Sequence, residues 1–415
     1  MKRRRILFIH QVGCRGGAGT MLANILTAID KQKFEPIVVC PDGDVVDQLK
    51  DTGAEIRISN RPIYQFSHYT GYSCFALNPG FMWNAYRIWR DQYYWENYIR
   101  NSGADIVCLN AMTLAPMARA ARRAGAKVMC MVQETTVSGL FGLRTRWIYY
   151  VLSNWMDAVI FISQFDRDKS HCQAPIVEVV PNWVDLRGYD RSYSRERARS
   201  ELDIPQASNV VLLMGGIDKI KGTLPLLQAA SMLSGINGLL VMIAGYCGSP
   251  DMNSLSVLQR ALFKLRRLCG VEYRQQVMQT IKRYKLAERV RFVGMHSDVA
   301  RLYAASDVLV FPAIKPHQAR PVLEAGAMAK PAVVPDFPQT REFVCNGVNG
   351  LTYRPGDARG LAQAIEKLLT TRELANVIGE NNYLRTCRIH NVVVNAAKIN
   401  QVFEKIAGKL NNVVA

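Results

Sequence analysis

Short apolar, β-branched runs recur along the chain, with longer stretches of helical period between them. In the first half they read ILFIH, EPIVVC, ADIVCLN, KVMCMVQ and DAVIFIS. After Arg197 the rhythm restarts as NVVLLMGG, GLLVMIAG, RVRFVGM, DVLVFP and KPAVVP. Runs this short and this continuously apolar suit strands covered on both faces, and strands alternating with helices build parallel sheets. The expected fold is therefore α/β, with two doubly wound, Rossmann-like halves and helices at about 222–233 and 321–328 in the second. Pro181, Gly188 and a dense run of charged and hydroxyl residues in PNWVDLRGYDRSYSRERARS interrupt the pattern and place the boundary near Asp185. This gives domains 1–184 and 185–391. A final amphipathic helix at about 392–412 is expected to pack back on the first.

Composition narrows the class. With 415 residues, 49% hydrophobic and 21% charged, the chain can build two packed cores and is not disordered. Its ten cysteines, scattered from Cys14 to Cys387, form no C-x-x-C pair or zinc-ligand spacing, so reduced, mostly buried thiols are expected. The basic start MKRRRILFIHQVG carries an apolar run only from Ile6 to Ile9, too short for an export signal, and is read as a first buried strand. No spanning helix is expected, and the cytoplasm is the expected location.

A net charge of +18 suits nucleic acid, an anionic membrane surface or phosphate-bearing substrates alike. No zinc finger, RRM-like aromatic signature or long basic tail occurs, so no nucleic-acid partner is expected. Two segments exceed what the α/β rhythm needs. Residues 61–100 concentrate tyrosine, tryptophan and phenylalanine among Arg87, Arg90 and Arg100, and residues 254–285 include the basic stretch RALFKLRRLCGVEYR. Each suits either a membrane interface or an ordinary packed or solvated helix face.

Three loops carry candidate chemistry. In CRGGAGTMLANIL, Gly16, Gly17 and Ala18 lead from the first strand into a helix whose free N–H groups can meet an anion, or simply form a tight turn. The loop has neither the Lys-Ser/Thr of a nucleoside-triphosphate loop nor G-x-G-x-x-G spacing. In VVLLMGGIDKIKGTLPLLQAA, Gly215 and Gly216 follow a strand and Lys221 precedes a helix, within reach of a phosphate. In PHQARPVLEAGAMAKPAVVPD, a basic loop with His317, Gln318, Ala319 and Arg320 feeds a helix N-terminus. Side-chain charge and helix dipole there act on an anion together, and Glu324 one turn in can accept from sugar hydroxyls.

Taken in order, GGAGT, VVPNWVD, KG at Lys221, RVRFVGMHSDVARLYAASDVLVFPA, PVLEAGAMAKPAVV and NGVNGLTYRPGD resemble the retaining GT-B glycosyltransferases of group 1 and family 4. That large bacterial family builds lipopolysaccharide, capsule and other surface glycans. The resemblance spans nearly the whole chain. It implies two Rossmann-like domains facing a central cleft and transfer from a nucleotide-sugar donor to a glycan acceptor, and the aromatic-basic segment 61–100 with the net charge of +18 adds the expectation of a lipid-linked or membrane-surface acceptor at the inner face of the plasma membrane. Lys221 would hold the donor pyrophosphate, Glu324 the ribose, and the loop after Pro316 the distal phosphate. Met295 and Val299 would bound the stretch beside the base, Gly215 and Gly245 would lie against the nucleotide, and Gly16 and Gly17 would face the phosphates or acceptor. Neither a metal nor a further cofactor is implied. Asp42-Gly43-Asp44 follows the second strand and is read as a turn.

Three positions depart from the family. The first glutamate of Glu-x(7)-Glu is Pro316, the arginine before the KG motif is Gly216, and the first-domain histidine falls near Gln133, followed by Glu134. Lys219 or Arg320 is expected to replace the lost cation. Two alternatives stay open: a sugar-nucleotide-binding protein without transferase activity, and a GT-B-type epimerase.

Overall fold

The computed structural model describes residues 3–66, 79–136, 142–247, 272–296 and 298–411. The chain divides into two compact units, Met1–Trp183 with His390–Ala415, and Val184–Ile389.

In the first unit, seven parallel strands lie in the order β3-β2-β1-β4-β5-β6-β7. They are β1 (Arg4–Ile9), β2 (Phe34–Cys40), β3 (Glu55–Ile58), β4 (Ile106–Leu109), β5 (Lys127–Val132), β6 (Ala158–Phe161) and β7 (Val177–Val179). The helices are α1 (Gly17–Ala28), α2 (Asp44–Leu49), α3 (Pro79–Arg90), α4 (Gln92–Ser102), α5 (Ala118–Arg123), α6 (Leu143–Trp155) and α7 (Gln164–Ser170). Strand periodicity sorts the core into two layers. Leu7 and Ile9 of β1 face a cluster with Trp95, Ile99, Ala118, Ile148 and Val151 from α4, α5 and α6. Ile6 and Phe8 face the other cluster, with Met21, Leu22 and Ile25 of α1. Asp42 and Gly43 form the turn between β2 and α2, with Asp44 the first residue of that helix.

The second unit holds six parallel strands in the order β10-β9-β8-β11-β12-β13. They are β8 (Asn209–Met214), β9 (Leu239–Ala244), β10 (Val290–Gly294), β11 (Val308–Val310), β12 (Ala332–Pro335) and β13 (Leu351–Tyr353). Around them lie α8 (Arg195–Glu201), α9 (Thr223–Met232), α10 (Tyr273–Arg283), α11 (Val299–Ala305), α12 (Arg320–Ala327), α13 (Ala358–Thr370) and α14 (Arg372–Ile389). Connections of this kind, with helices on both faces, make each unit Rossmann-like.

The last helix, α15 (Val392–Asn411), belongs to the first unit. Ile399, Val402, Phe403 and Ile406 enter the α1 layer, and Phe403 meets the rings of Phe8 and Phe34 at 5.9 and 5.7 Å. Asn400 donates to the Ala28 carbonyl at 3.0 Å, satisfying an acceptor at the end of α1, and accepts from the Asp30 N–H at 3.0 Å.

The aromatic segment divides. Trp95 and Ile99 of α4 are buried, whereas Trp83, Trp89 and Tyr93 are exposed. Its residues 67–78, and residues 254–271 of the second unusual segment, lie outside the described residues. No described helix is long and apolar enough to cross a membrane, and no group of three metal-ligating side chains occurs among the described residues. The described cysteines are free thiols, with Cys40, Cys108 and Cys130 fully buried.

Candidate active site

In the second unit the chain reverses direction across the sheet between β8 and β11. This is the switch point where open parallel sheets leave a crevice at the carboxyl ends of their strands. The predicted donor residues gather at that edge. Directly after β8, the Gly215 and Gly216 N–H groups both donate to the Ala244 carbonyl at 2.7 Å, and the Gly245 N–H donates to Gly294 at 2.7 Å. The three loops therefore start in contact. Gly216 has φ +74°, and a Cβ there would lie 2.1 Å from the Tyr246 carbonyl oxygen, so the position excludes any side chain.

Lys221 is delivered onto this floor. The Asp218 carboxylate accepts from the Ile220 and Lys221 N–H groups at 2.7 and 3.1 Å, and Thr223 donates to the Gly216 carbonyl at 3.1 Å, which folds the loop tightly. A Cβ on Gly215 would meet Lys221 Nζ at 2.8 Å, so the lysine lies along the bare glycine backbone. The Ile314 N–H donates to the Ile220 carbonyl at 2.9 Å, tying this loop to the one after β11.

His317 stacks on Phe311 at 5.9 Å with an interplanar angle of 18°. Burial and then the Lys221 charge push its pKa down to about 4, so the imidazole is neutral near pH 7. Ala319, buried, precedes α12, and Gln318 beside it is half-buried. Arg320 opens α12 and donates through Nε to Glu324 Oε1 at 2.8 Å, while Tyr303 Oη donates to Oε2 at 2.8 Å. Tyr189 packs at the same carboxylate, and burial together with that charge raises its phenol well above the usual range. Arg320 Nη1 is buried with no hydrogen-bond partner. A buried guanidinium N–H without an acceptor is costly, and an anionic ligand would complete it.

Met295 and Val299 lie farther along the edge. Met295 is exposed after β10 and Val299 is the first residue of α11. Lys219 is exposed on the Lys221 loop. Gly16, Gly17 and Ala18 belong to the first unit, where exposed Gly16 is the N-cap of α1 with open space around it.

One constellation escaped the sequence reading. At the carboxyl ends of β1, β4 and β5, Gln133 Nε2 donates to Asn110 Oδ1 at 2.7 Å, and Asn110 Nδ2 donates to His10 Nδ1 at 2.8 Å. Asn110 Nδ2 also faces the Ala18 carbonyl at 3.4 Å, which fixes the amide orientation and leaves the proton of a neutral His10 on Nε2. His10 Nε2 and Gln11 Oε1 are buried without partners, and burial lowers the His10 pKa to about 4. Beside them, burial raises the Glu134 carboxyl to about 7. The available signal was the polar residue closing each apolar run in ILFIH, IVCLN and VMCMVQ.

Comparisons with known proteins bear on the family and the fold. Residues 15–187 match the model described as Glycosyltransferase Family 4, and residues 194–385 match Glycosyl transferases group 1. Among curated relatives, the lipopolysaccharide core biosynthesis glycosyltransferase LpsE of Rhizobium meliloti is 28% identical over 45% of this chain and 46% of its own. The mannosyltransferase LpsB of the same organism is 24% identical over 63% of this chain and 69% of its own. The chain thus spans about half the length of LpsE. In fold, Anabaena HepE in complex with UDP and glucose aligns with a TM-score of 0.74 at 19% identity, over 97% of this chain and 100% of that one. Sucrose-phosphate synthase from Thermosynechococcus elongatus also aligns at 0.74, with 18% identity over 98% and 100% of the two chains. By the order of its motifs, its two matched halves and its paired Rossmann-like units, the chain belongs to the GT-B glycosyltransferases, Family 4 in its first half and group 1 in its second.

Proposed function

We propose that the protein transfers a sugar, with retention, from a nucleotide-sugar donor to a glycan or lipid-linked acceptor in bacterial surface-polysaccharide synthesis, working at the cytoplasmic face of a membrane. This proposal rests on the cations carried by the two joined loops after β8 and β11: Lys221 lies along the Gly215 backbone, and Arg320, with its unpartnered Nη1, opens α12. Together they present positive charge where a diphosphate leaving group gains it. Preorganised cationic stabilisation of that kind is usually the largest single contribution to such catalysis.

In this scheme Lys221 and the loop amides bind the diphosphate, and Arg320 replaces the cation that Gly216 cannot supply. Glu324 accepts from Tyr303 and Arg320 and has the Tyr189 phenol beside it, which leaves acceptor capacity for a ribose hydroxyl. Met295 and Val299 border the base, and Gly16 and Gly17 meet the acceptor side. No metal takes part. The UDP and glucose bound by HepE and the lipopolysaccharide-core role of LpsE support the donor and pathway classes.

Pro316 favours one rival, a nucleotide-sugar-binding protein without turnover, because no carboxylate remains at that position to hold the sugar. Incubating the protein with UDP-, GDP- and other nucleotide sugars, with and without EDTA, separates the cases. Transfer or hydrolysis unaffected by EDTA is expected. Tight binding without turnover, or an epimerised sugar, would replace the proposal.

A further inference from the structure

The first unit carries a further surface, on elements that hold none of the residues assigned above to sugar transfer. The α4, α5 and α6 helices cover one face of its sheet, α3 lies beside them across a shared groove, and the four hold eight arginines, two on α3, one on α4, three on α5 and two on α6. Against these stands one glutamate within the four helices, Glu96, which pairs with Arg100 at 2.7 Å. Asp91, between α3 and α4, is buried and pairs with Arg61 and Arg90 at 3.3 and 2.8 Å, so it offers no negative charge at the surface.

The same layer exposes an aromatic row. Met82, Tyr86, Trp89 and Tyr93 follow one another at helical spacing, 55%, 46%, 66% and 73% exposed, and Trp83, 51% exposed, stacks on Tyr86. Arg87 lies over the Trp83 ring at 5.0 Å. Large aromatic side chains left this open as a continuous row are unusual on a soluble surface and mark a docking face. Beside Trp89 a groove of about 180 Å³ runs between Ile88, Pro116, Trp147 and Trp155, with Gln92 and Arg119 among its few polar groups. Gln92 Oε1 is buried there with no partner.

We propose that this layer docks on an anionic phospholipid bilayer, with the arginines on the headgroups, Trp83, Trp89 and Tyr93 in the interface, and one acyl chain in the groove. Charge complementarity selects this occupant, because eight arginines against one glutamate on these helices suit phosphate headgroups, and tryptophan and tyrosine suit the headgroup layer. The inference deepens the membrane part of the proposed function, and it stands independently of sugar transfer.

The test is co-sedimentation of the full chain with phosphatidylcholine vesicles, with and without phosphatidylglycerol, at moderate salt. Wild type should pellet only with the anionic vesicles. At about fivefold per charge near such a surface, the exposed double variant Arg119→Glu/Arg122→Glu should lose at least tenfold in partition. Reversal of exposed Arg354 in the second unit should change it little. Brominated acyl chains should quench tryptophan fluorescence, less so in Trp89→Phe. The proposal falls if wild type ignores anionic vesicles, binds neutral ones equally, or loses as much through Arg354→Glu. Unquenched fluorescence in vesicle-bound protein would remove the acyl chain from the groove. Nucleotide-sugar turnover measured on the same samples keeps the two proposals separate, since either can fail while the other stands.

Discussion

Restoring the family arginine at Gly216 should harm the protein, and the structure sets the size of the loss. At φ +74° an L-residue costs about 1–2 kcal/mol. Its Cβ would also stand 2.1 Å from the Tyr246 oxygen and 2.6 Å from its nitrogen, both backbone atoms that no rotamer change can move aside. Overpacking of that kind costs about 1–3 kcal/mol, and relief would displace the 2.7 Å bond from the Gly216 N–H to Ala244. Gly216→Ala should therefore lose about 2–5 kcal/mol, a large part of ordinary domain stability. Urea unfolding should show it as a midpoint lowered by on the order of 1 M, and calorimetry should show weaker nucleotide-sugar binding. Gly216→Arg should be no better. An unchanged midpoint in the alanine variant, or a stable and more active arginine variant, would overturn the view that this turn excludes side chains.

Other expectations follow from particular contacts. Lys221→Ala should lower kcat by about 100–1000-fold in steady-state donor turnover, and near-normal turnover would remove Lys221 from the site. Glu134 has its pKa raised from 4.5 to about 7, so its contribution is intact below pH ~4.5 and is lost as the pH rises through 7, when the buried group must ionise. Glu134→Gln should thus gain up to about 3 kcal/mol over wild type at pH 8 and almost nothing at pH 4.5, read from urea unfolding at both; equal differences at the two pH values would refute it. Phe403→Ala should cost the first unit about 3–5 kcal/mol in its unfolding transition, because the ring is fully buried against Phe8 and Phe34. A loss below about 1 kcal/mol would mean that α15 is only laid on the surface.

Most strands were visible because their burial on both faces leaves unbroken apolar runs, as in ILFIH and GLLVMIAG. The three not foreseen, EIRI of β3, VEV of β7 and LTY of β13, are edge strands, short and paired on one side only. An edge needs less apolar surface and so writes a weaker pattern. The turns and helix starts around Lys221 and Arg320 were legible for a similar local reason, since glycine, proline and charge mark them within a few residues.

What the sequence determined by itself was the class of fold, the order of its ten more apolar strands and the residues that close them, all consequences of short-range periodicity and turn chemistry. Tertiary structure alone decided which of those residues meet. It set Tyr303 and Arg320 on the two oxygens of Glu324, joined His10 to Asn110 and Gln133 across three strands, and turned Trp89 outward while burying Trp95. It also showed that Gly216 is required by its neighbours, because Ala244 at the end of β9 and Tyr246 in the loop after it approach from far along the chain. Contacts of that separation leave no local trace in composition, and they exist only once the sheet has formed.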